Sequence, residues 1–400
     1  MLIQFSVENY LSIKDKVVLS LLASKDKEHP DFLINHDNKK CLKSAVIYGA
    51  NASGKSNVLN AFWFMVNYVL TSHNQQLHMP IGRTAFKFDD FTAVKPSSFE
   101  VIFTVDAIRY AYGFSVTDTL VVDEYLYYYP NGRQAIIFER KNTKEYKFTV
   151  DVEEQNMLKD RTSANKLYLS VASNWSYSKV IPVLEWFASC QILTKRSIAD
   201  AYGLNARNLR DEEYRSVIAS MLQVADFGIK ALEIRDFQGL GSLMPDKQSY
   251  NNIETVHTVV DENGKEKFYN LNMTEESDGT NSYFKVVGIV RKALDKGTLL
   301  VADEIDAHLH PLLTKHLISL FNSAEFNPHG AQLVFTSHNT NLLDLDIMRR
   351  DQIWFTEKNE NTAATDLFSL DDFSVRKDTK IERGYLIGRY GAIPFIKGGL

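Results

Sequence analysis

Gly49-Ala50-Asn51-Ala52-Ser53-Gly54-Lys55-Ser56 is a complete GxxxxGKS segment, with Asn57 directly behind it. Its glycines let backbone N–H groups turn inward around phosphate oxygens, and a helix N-terminus adds favourable partial charge. Lys55 can reach β- and γ-phosphates, and the Ser56 hydroxyl can ligate Mg²⁺. Thr298–Glu304 is an apolar run ending in two carboxylates. Asp303 is placed to hold Mg²⁺ through water, and Glu304 to polarise an attacking water. Leu333–Ser337 is another apolar run, and it ends at His338, a residue able to hydrogen-bond a γ-phosphate. Ser277-Asp278-Gly279-Thr280 precedes a helical segment and forms a second anion-binding corner. It lies too close in sequence to the acidic strand to fold onto the same phosphates. It is therefore expected to cap a nucleotide held by a second copy of the chain. His308 and His310 stand at i, i+2, a poor spacing for a helical metal pair. The metal expectation is accordingly Mg²⁺ on Ser56 and Asp303.

Regular elements must place these groups. Leu2–Val7 and Lys16–Leu22 read as strands, and Ser44–Tyr48 as a short buried strand leading into Gly49. Ser56–Leu70 carries Val58, Leu59, Phe62, Met65, Val66 and Val69 at helical spacing, which predicts a buried helix. Between Ser98 and Val150 five strand-like runs follow one another, with Pro130-Asn131-Gly132 as a turn. This predicts an antiparallel meander. Tyr125, Tyr127 and Tyr129 share one strand face, read as a packed face rather than a stacking platform for bases. Ser163–Leu232 reads as helical, a hairpin is expected around Asp261–Gly264, and Tyr283–Leu294 is an amphipathic helix. Thr298–Ala302 and Gln332–Ser337 have the continuous apolarity of buried parallel strands.

Composition sets outer limits. The 400 residues are 44% hydrophobic and 24% charged, a globular balance, and the net charge of −5 argues against a broadly basic nucleic-acid coat. Local clusters remain at Lys39, Lys40 and Lys43 and at Arg349 and Arg350. The two cysteines, Cys41 and Cys190, are far apart, so neither a disulfide framework nor a cysteine zinc site is expected. No stretch approaches the roughly 18 apolar residues of a membrane helix, and the N-terminus lacks signal-peptide character. A cytoplasmic protein with no membrane partner is expected.

The order of these motifs resembles the ABC-type ATPases, in the branch holding SMC, Rad50 and RecF proteins. It runs from Glu8-Asn9-Tyr10-Leu11-Ser12 through Gly49–Asn57, Ser277–Thr280 and Asp303-Glu304 to His338. More narrowly the chain resembles bacterial AAA15-type ATPases, including RloA-like and abortive-infection proteins. The Glu276–Thr280 run, Gln352–Glu357 and the tail Gly388–Pro394 carry that likeness. The resemblance implies an α/β fold: an ABC-type P-loop NTPase with a mixed central sheet, an antiparallel β-lobe and a helical insertion. It is expected as one discontinuous domain over 1–400. Its parts are a first core part (1–72), the β-lobe (84–155), the helical insertion (156–250) and a second core part (251–400). It further implies ATP and Mg²⁺ as ligands, with the residues from Gly49 to Asn57 and Ser277, Asp278 and Gly279 around the nucleotide. In these terms Lys55, Glu304 and His338 carry catalysis. The family's Q-loop glutamine has Gln75 and Gln76 as candidates by order. No heptad repeat supports a long coiled coil, and the segment after His338 is short for a Toprim nuclease domain. The expected partners are a second copy of the chain and a separately encoded effector, nuclease or toxin, in anti-phage defence. Two other readings are a RecF- or Rad50-like ATPase acting directly on DNA, and a scaffold that holds a toxin with hydrolysis incidental.

Overall fold

The computed structural model describes residues 1–36, 39–194, 205–225, 228–235, 253–307, 309–376 and 379–393. Among them a six-stranded sheet carries the site. Its strands are β5 (Ser44–Gly49), β11 (Gln191–Leu193), β15 (Leu299–Ala302), β16 (Gln332–Thr336), β17 (Ile353–Lys358) and β18 (Thr365–Ser369), numbered along the chain. Their order is β11-β15-β16-β5-β17-β18, parallel throughout except for the antiparallel edge strand β18.

A parallel sheet must be covered on both faces, and here alternate residues feed two cores. Ala45, Ile47, Leu299 and Val301 pack with α1 (Lys55–Thr71). Val46, Tyr48, Leu300 and Ala302 face the opposite core. That core is closed by α5 (Glu212–Leu222), α6 (Asp278–Lys296) and α7 (Pro311–Asn322).

A seven-stranded antiparallel sheet forms the lobe. It comprises β1 (Leu2–Glu8), β2 (Val17–Ser20), β6 (Ser97–Val105), β7 (Ile108–Val116), β8 (Val121–Tyr129), β9 (Ala135–Lys141) and β10 (Glu145–Phe148). The order is β10-β9-β8-β7-β6-β1-β2. Helix α1 lies between the two sheets, which is why it is apolar nearly all round. Phe64 meets Phe99 and Tyr68 meets Phe114 on the lobe side, with ring centroids 5.0 and 5.7 Å apart. The ABC-type P-loop architecture, mixed sheet plus antiparallel lobe, is thus present.

Two smaller sheets complete the strands: β3 (Leu33–His36) with β4 (Lys39–Leu42), and β12 (Ile229–Ile234), β13 (Ile253–Val260) and β14 (Glu266–Asn272) in that order. The hairpin at Asp261–Gly264 joins β13 to β14. Between lobe and core run α2 (Val152–Asp160), α3 (Tyr168–Asn174) and α4 (Ile181–Ser189).

One reading of the sequence is corrected and another refined. The stretch from Ser163 to Leu232 is not helical throughout. Gln191–Leu193 is a core strand parallel to β15, and Ile229 opens β12. A three-residue strand directly after a helix is too short to show a period of its own. The tyrosine stripe packs on the outer face of the lobe sheet, not on its core face. Glu124 and Leu126 point into the core, while Tyr125, Tyr127 and Tyr129 are half-buried on the outer face. Their hydroxyls donate to Glu100, Glu139 and Gln134. Gly113 makes room for the stripe, since a Cβ there would stand 2.5 Å from the Tyr125 hydroxyl. Cys41 and Cys190 are both free thiols, and no described helix is long and apolar enough to cross a membrane.

Candidate functional site

The carboxyl ends of β15, β16 and β5 lie side by side, because all three run parallel. Ligands of open parallel sheets bind at such an edge. The chain leaves β5 through Gly49–Gly54 and enters α1 at Lys55. Gly54 has φ 109°, a region closed to side chains, and a Cβ there would meet Thr365 Oγ1 at 2.2 Å and Ser12 Oγ at 2.9 Å. Hydroxyls buttress the loop from behind. Ser53 Oγ meets Thr356 Oγ1 at 2.7 Å, Thr365 Oγ1 donates to Ser53 O (2.8 Å), and Ser12 Oγ meets Thr365 Oγ1 at 2.7 Å. Asn57 belongs to this support: its Nδ2 donates to Ser12 Oγ (2.7 Å), away from the cradle.

Lys55 is buried, and its Nζ donates to Gly49 O (2.8 Å) and Ala50 O (3.0 Å), folded onto its own loop. Burial pulls its ammonium below the usual lysine range, while Glu304, Asp303 and Asp306 push the other way. The acidic strand end meets the P-loop directly. Ser56 Oγ donates to Asp303 Oδ1 (2.9 Å), and Thr336 Oγ1 donates to the same oxygen (2.8 Å). Thr336 also accepts the Glu304 N–H at 2.7 Å, which fixes the backbone of Glu304 at φ 51°. An L-residue seldom adopts that conformation, and such residues cluster where function holds them. His338 Nε2 stands 3.9 Å from Glu304 Oε1, and the imidazole is half exposed.

Asp306, absent from the sequence-based site, sets the place of His338. Its Oδ2 accepts from Ser337 Oγ (2.8 Å), His338 N (3.2 Å) and Asn339 N (3.1 Å). Only its nearness to Asp303-Glu304 could have pointed to it. Thr336 and Thr356 were missed for the same reason: each acts across neighbouring strands.

The residues fit Mg²⁺ as a hard cation. A hydroxyl and a carboxylate oxygen sit together beside a phosphate cradle, and Mg²⁺ in such sites takes one or two protein ligands plus phosphates and waters. Ser56 and Asp303 would hold it. His310 instead caps α7, its Nδ1 accepting from Leu312 N at 3.3 Å. His308 lies outside the described residues.

Ser277–Gly279 is not joined to the P-loop by any bond among the described residues. Ser277 is the N-cap of α6 and accepts from Thr280 N at 3.1 Å. Glu276 beside it is buried against β13, with His257 Nε2 at 2.7 Å and a hydrogen bond from Thr255. Helix α6 ends at Gly297, whose left-handed backbone (φ 61°) leads the chain into β15. Gln75 and Gln76 lie beyond the C-terminal end of α1, a helix of 17 residues. That puts them about 25 Å from Lys55, so neither reaches a phosphate. Of the tail, Gly388–Ile393 packs on β17: Tyr390 stacks on Phe355 and Ala392 N donates to Glu357 Oε1 at 3.0 Å. Pro394 lies outside the described residues.

Comparison with curated proteins gives no match. Among solved structures, an SMC head bound to the C-winged helix domain of ScpA is similar at TM-score 0.46 and 14% identity, over 92% of this chain and 97% of that one. The SMC head domain from Thermotoga maritima gives 0.43 and 12%, over 92% and 98%. An Smc head with an extended coiled coil, bound to the C-terminal domain of ScpA derived from Pyrococcus furiosus, gives 0.41 and 13%, over 97% and 98%. The family model described as "AAA domain, putative AbiEii toxin, Type IV TA system" matches residues 44–344, well over half of the sequence, and the chain belongs to that family.

Proposed function

We propose that this protein binds and hydrolyses ATP·Mg²⁺, dimerises around it, and so controls a separately encoded effector, a nuclease or toxin, in anti-phage defence. One observation carries the enzymatic part. Lys55, the Ser56–Asp303 pair and the Glu304–His338 pair converge from three adjacent parallel strand ends. Lys55 leaves the carbonyls of Gly49 and Ala50 for the β- and γ-phosphates. Mg²⁺, when bound, neutralises developing charge on the phosphate oxygens. Glu304 accepts the proton of the attacking water, and His338 donates to the γ-phosphate. Asp306 holds the His338 backbone in reach.

The dimer reading draws support from the start of α6, where Ser277 and Asp278 are exposed and Ser277–Gly279 makes no hydrogen bond to its own P-loop among the described residues. The effector and defence reading draws on the family description, which names a toxin of a toxin–antitoxin system. Lys55→Ala tests the site itself. Loss of one charge-assisted contact should weaken ATP binding about 10- to 100-fold in equilibrium titration. An unchanged affinity would remove Lys55, and with it the phosphate cradle, from the account.

A further inference from the structure

The His338 imidazole is aimed by its backbone. Among the described residues its ring makes no hydrogen bond, and Glu304 Oε1, at 3.9 Å, is its one ion-pair contact. The turn Ser337–Thr340 that carries the ring therefore sets its place. Asp306 holds the near side of that turn, through Ser337 Oγ and the N–H groups of His338 and Asn339. Two contacts hold the far side. Buried Tyr48, the residue before Gly49, donates its hydroxyl to Asn339 O at 2.9 Å. Thr340 Oγ1 donates to Glu382 Oε1 at 2.7 Å.

Glu382 lies 42 residues further along, in α8 (Ile381–Leu386), an element that bears none of the residues around the phosphates. A helix of six residues has little stability of its own, so packing must hold it. The Tyr385 ring lies 5.9 Å from that of Tyr48 and 5.6 Å from that of Phe355. Gly384 lets Tyr390 close in, since a Cβ there would stand 2.8 Å from the Tyr390 ring. The chain is then tied at Ala392, whose O accepts from Tyr385 OH (3.1 Å) and whose N donates to Glu357 Oε1 (3.0 Å). Glu357 is in β17, the neighbour of β5. A brace thus runs from the strand beside the P-loop, through Tyr385 and Glu382, to the far side of the His338 turn.

We propose that Glu382 is a positioning residue for His338. Through Thr340 it fixes the turn that aims the imidazole, and Ile381–Ala392 is the brace that keeps Glu382 in place. The proposal rests on the reading of His338 as a donor to the γ-phosphate. A misplacement of about 1 Å in such a group costs up to about 100-fold in rate, so one hydrogen bond to the turn is enough to matter.

The test is single-turnover ATP hydrolysis with Mg²⁺, alongside equilibrium ATP binding, for Glu382→Ala, Thr340→Val and Glu382→Gln. The first two remove the same bond from its two ends, and Thr340→Val hardly changes shape. Glu382→Gln keeps an acceptor oxygen. The first two should each slow hydrolysis about 10- to 100-fold with ATP affinity within about twofold of wild type, and Glu382→Gln should keep most of the rate. The deciding readout is a cycle with His338→Ala, because residues that act through one another are not additive. With His338 removed, Glu382→Ala should cost nothing further. Where Glu382→Ala does not fold, Thr340→Val carries the same cycle. An equal loss with and without His338 would make Glu382 a merely structural residue and overturn the proposal. Wild-type rates in both Glu382→Ala and Thr340→Val would overturn it as well. A wild-type rate in His338→Ala alone would overturn the reading of His338, and this proposal with it.

Discussion

Glu304→Gln should bind ATP with wild-type affinity and hydrolyse it about 10²- to 10⁴-fold more slowly, the usual contribution of a positioned general base. The amide matches the carboxylate in size, and the contact that holds this residue in place is made by its backbone. Thr336 accepts the Glu304 N–H at 2.7 Å, so the unusual φ of 51° should survive the change. Asp303, Ser56 and Lys55 keep their own partners. What disappears is the basic oxygen beside His338. Single-turnover hydrolysis combined with equilibrium ATP binding separates the two effects. A rate within about twofold of wild type would remove Glu304 from the mechanism. A parallel loss of binding would make it a structural residue.

Arg140→Ala should destabilise the fold by about 3–5 kcal/mol, the cost of stranding a buried charge. Arg140 is 1% exposed and Glu124 is 0% exposed, with Arg140 Nη1 3.8 Å from Glu124 Oε2. Arg140 also donates to Thr143 O (2.7 Å), Lys166 O (2.8 Å) and Ala164 O (3.4 Å). Glu124 accepts from Tyr112 OH (3.0 Å), Tyr168 N (2.6 Å) and Leu169 N (2.9 Å). The pair thus ties the lobe strands β8 and β9 to the start of α3. Burial pushes the Glu124 carboxyl above its usual range even though Arg140 and these donors pull it down. Without the guanidinium, the carboxylate loses its only ion-pair partner among the described residues, and three carbonyls lose a donor. Urea denaturation at neutral pH measures the cost. A loss under about 1 kcal/mol would mean that the local backbone bonds, rather than the ion pair, hold this junction.

The elements nearest the phosphate chemistry are legible in the sequence because their signals are local. The strand before Gly49, helix α1 and the apolar runs before Asp303 and Ser337 each announce themselves within a few consecutive residues. What stays hidden is set by tertiary pairing. Gln191–Leu193 joins the core sheet only because β15 offers it an open edge. The alternation of Tyr125, Tyr127 and Tyr129 marks a shared face but not which face meets the core. Sheet register decides that by turning Glu124 and Leu126 inward. Asp306, Thr336, Thr356, Thr365 and Ser12 work through partners far off in the chain, and their types alone carry no trace of it. Glu382 is one acidic residue among 50 until the fold sets it beside Thr340.

In the proposed dimer, ATP·Mg²⁺ joins two copies of this chain, each closing the other's site with Ser277–Gly279. The most direct measurement is the solution mass of Glu304→Gln by light scattering, with and without ATP·Mg²⁺. A monomer is expected without nucleotide and a dimer with it. A mass unaffected by nucleotide, whether monomeric or already larger, would contradict the nucleotide-driven dimer.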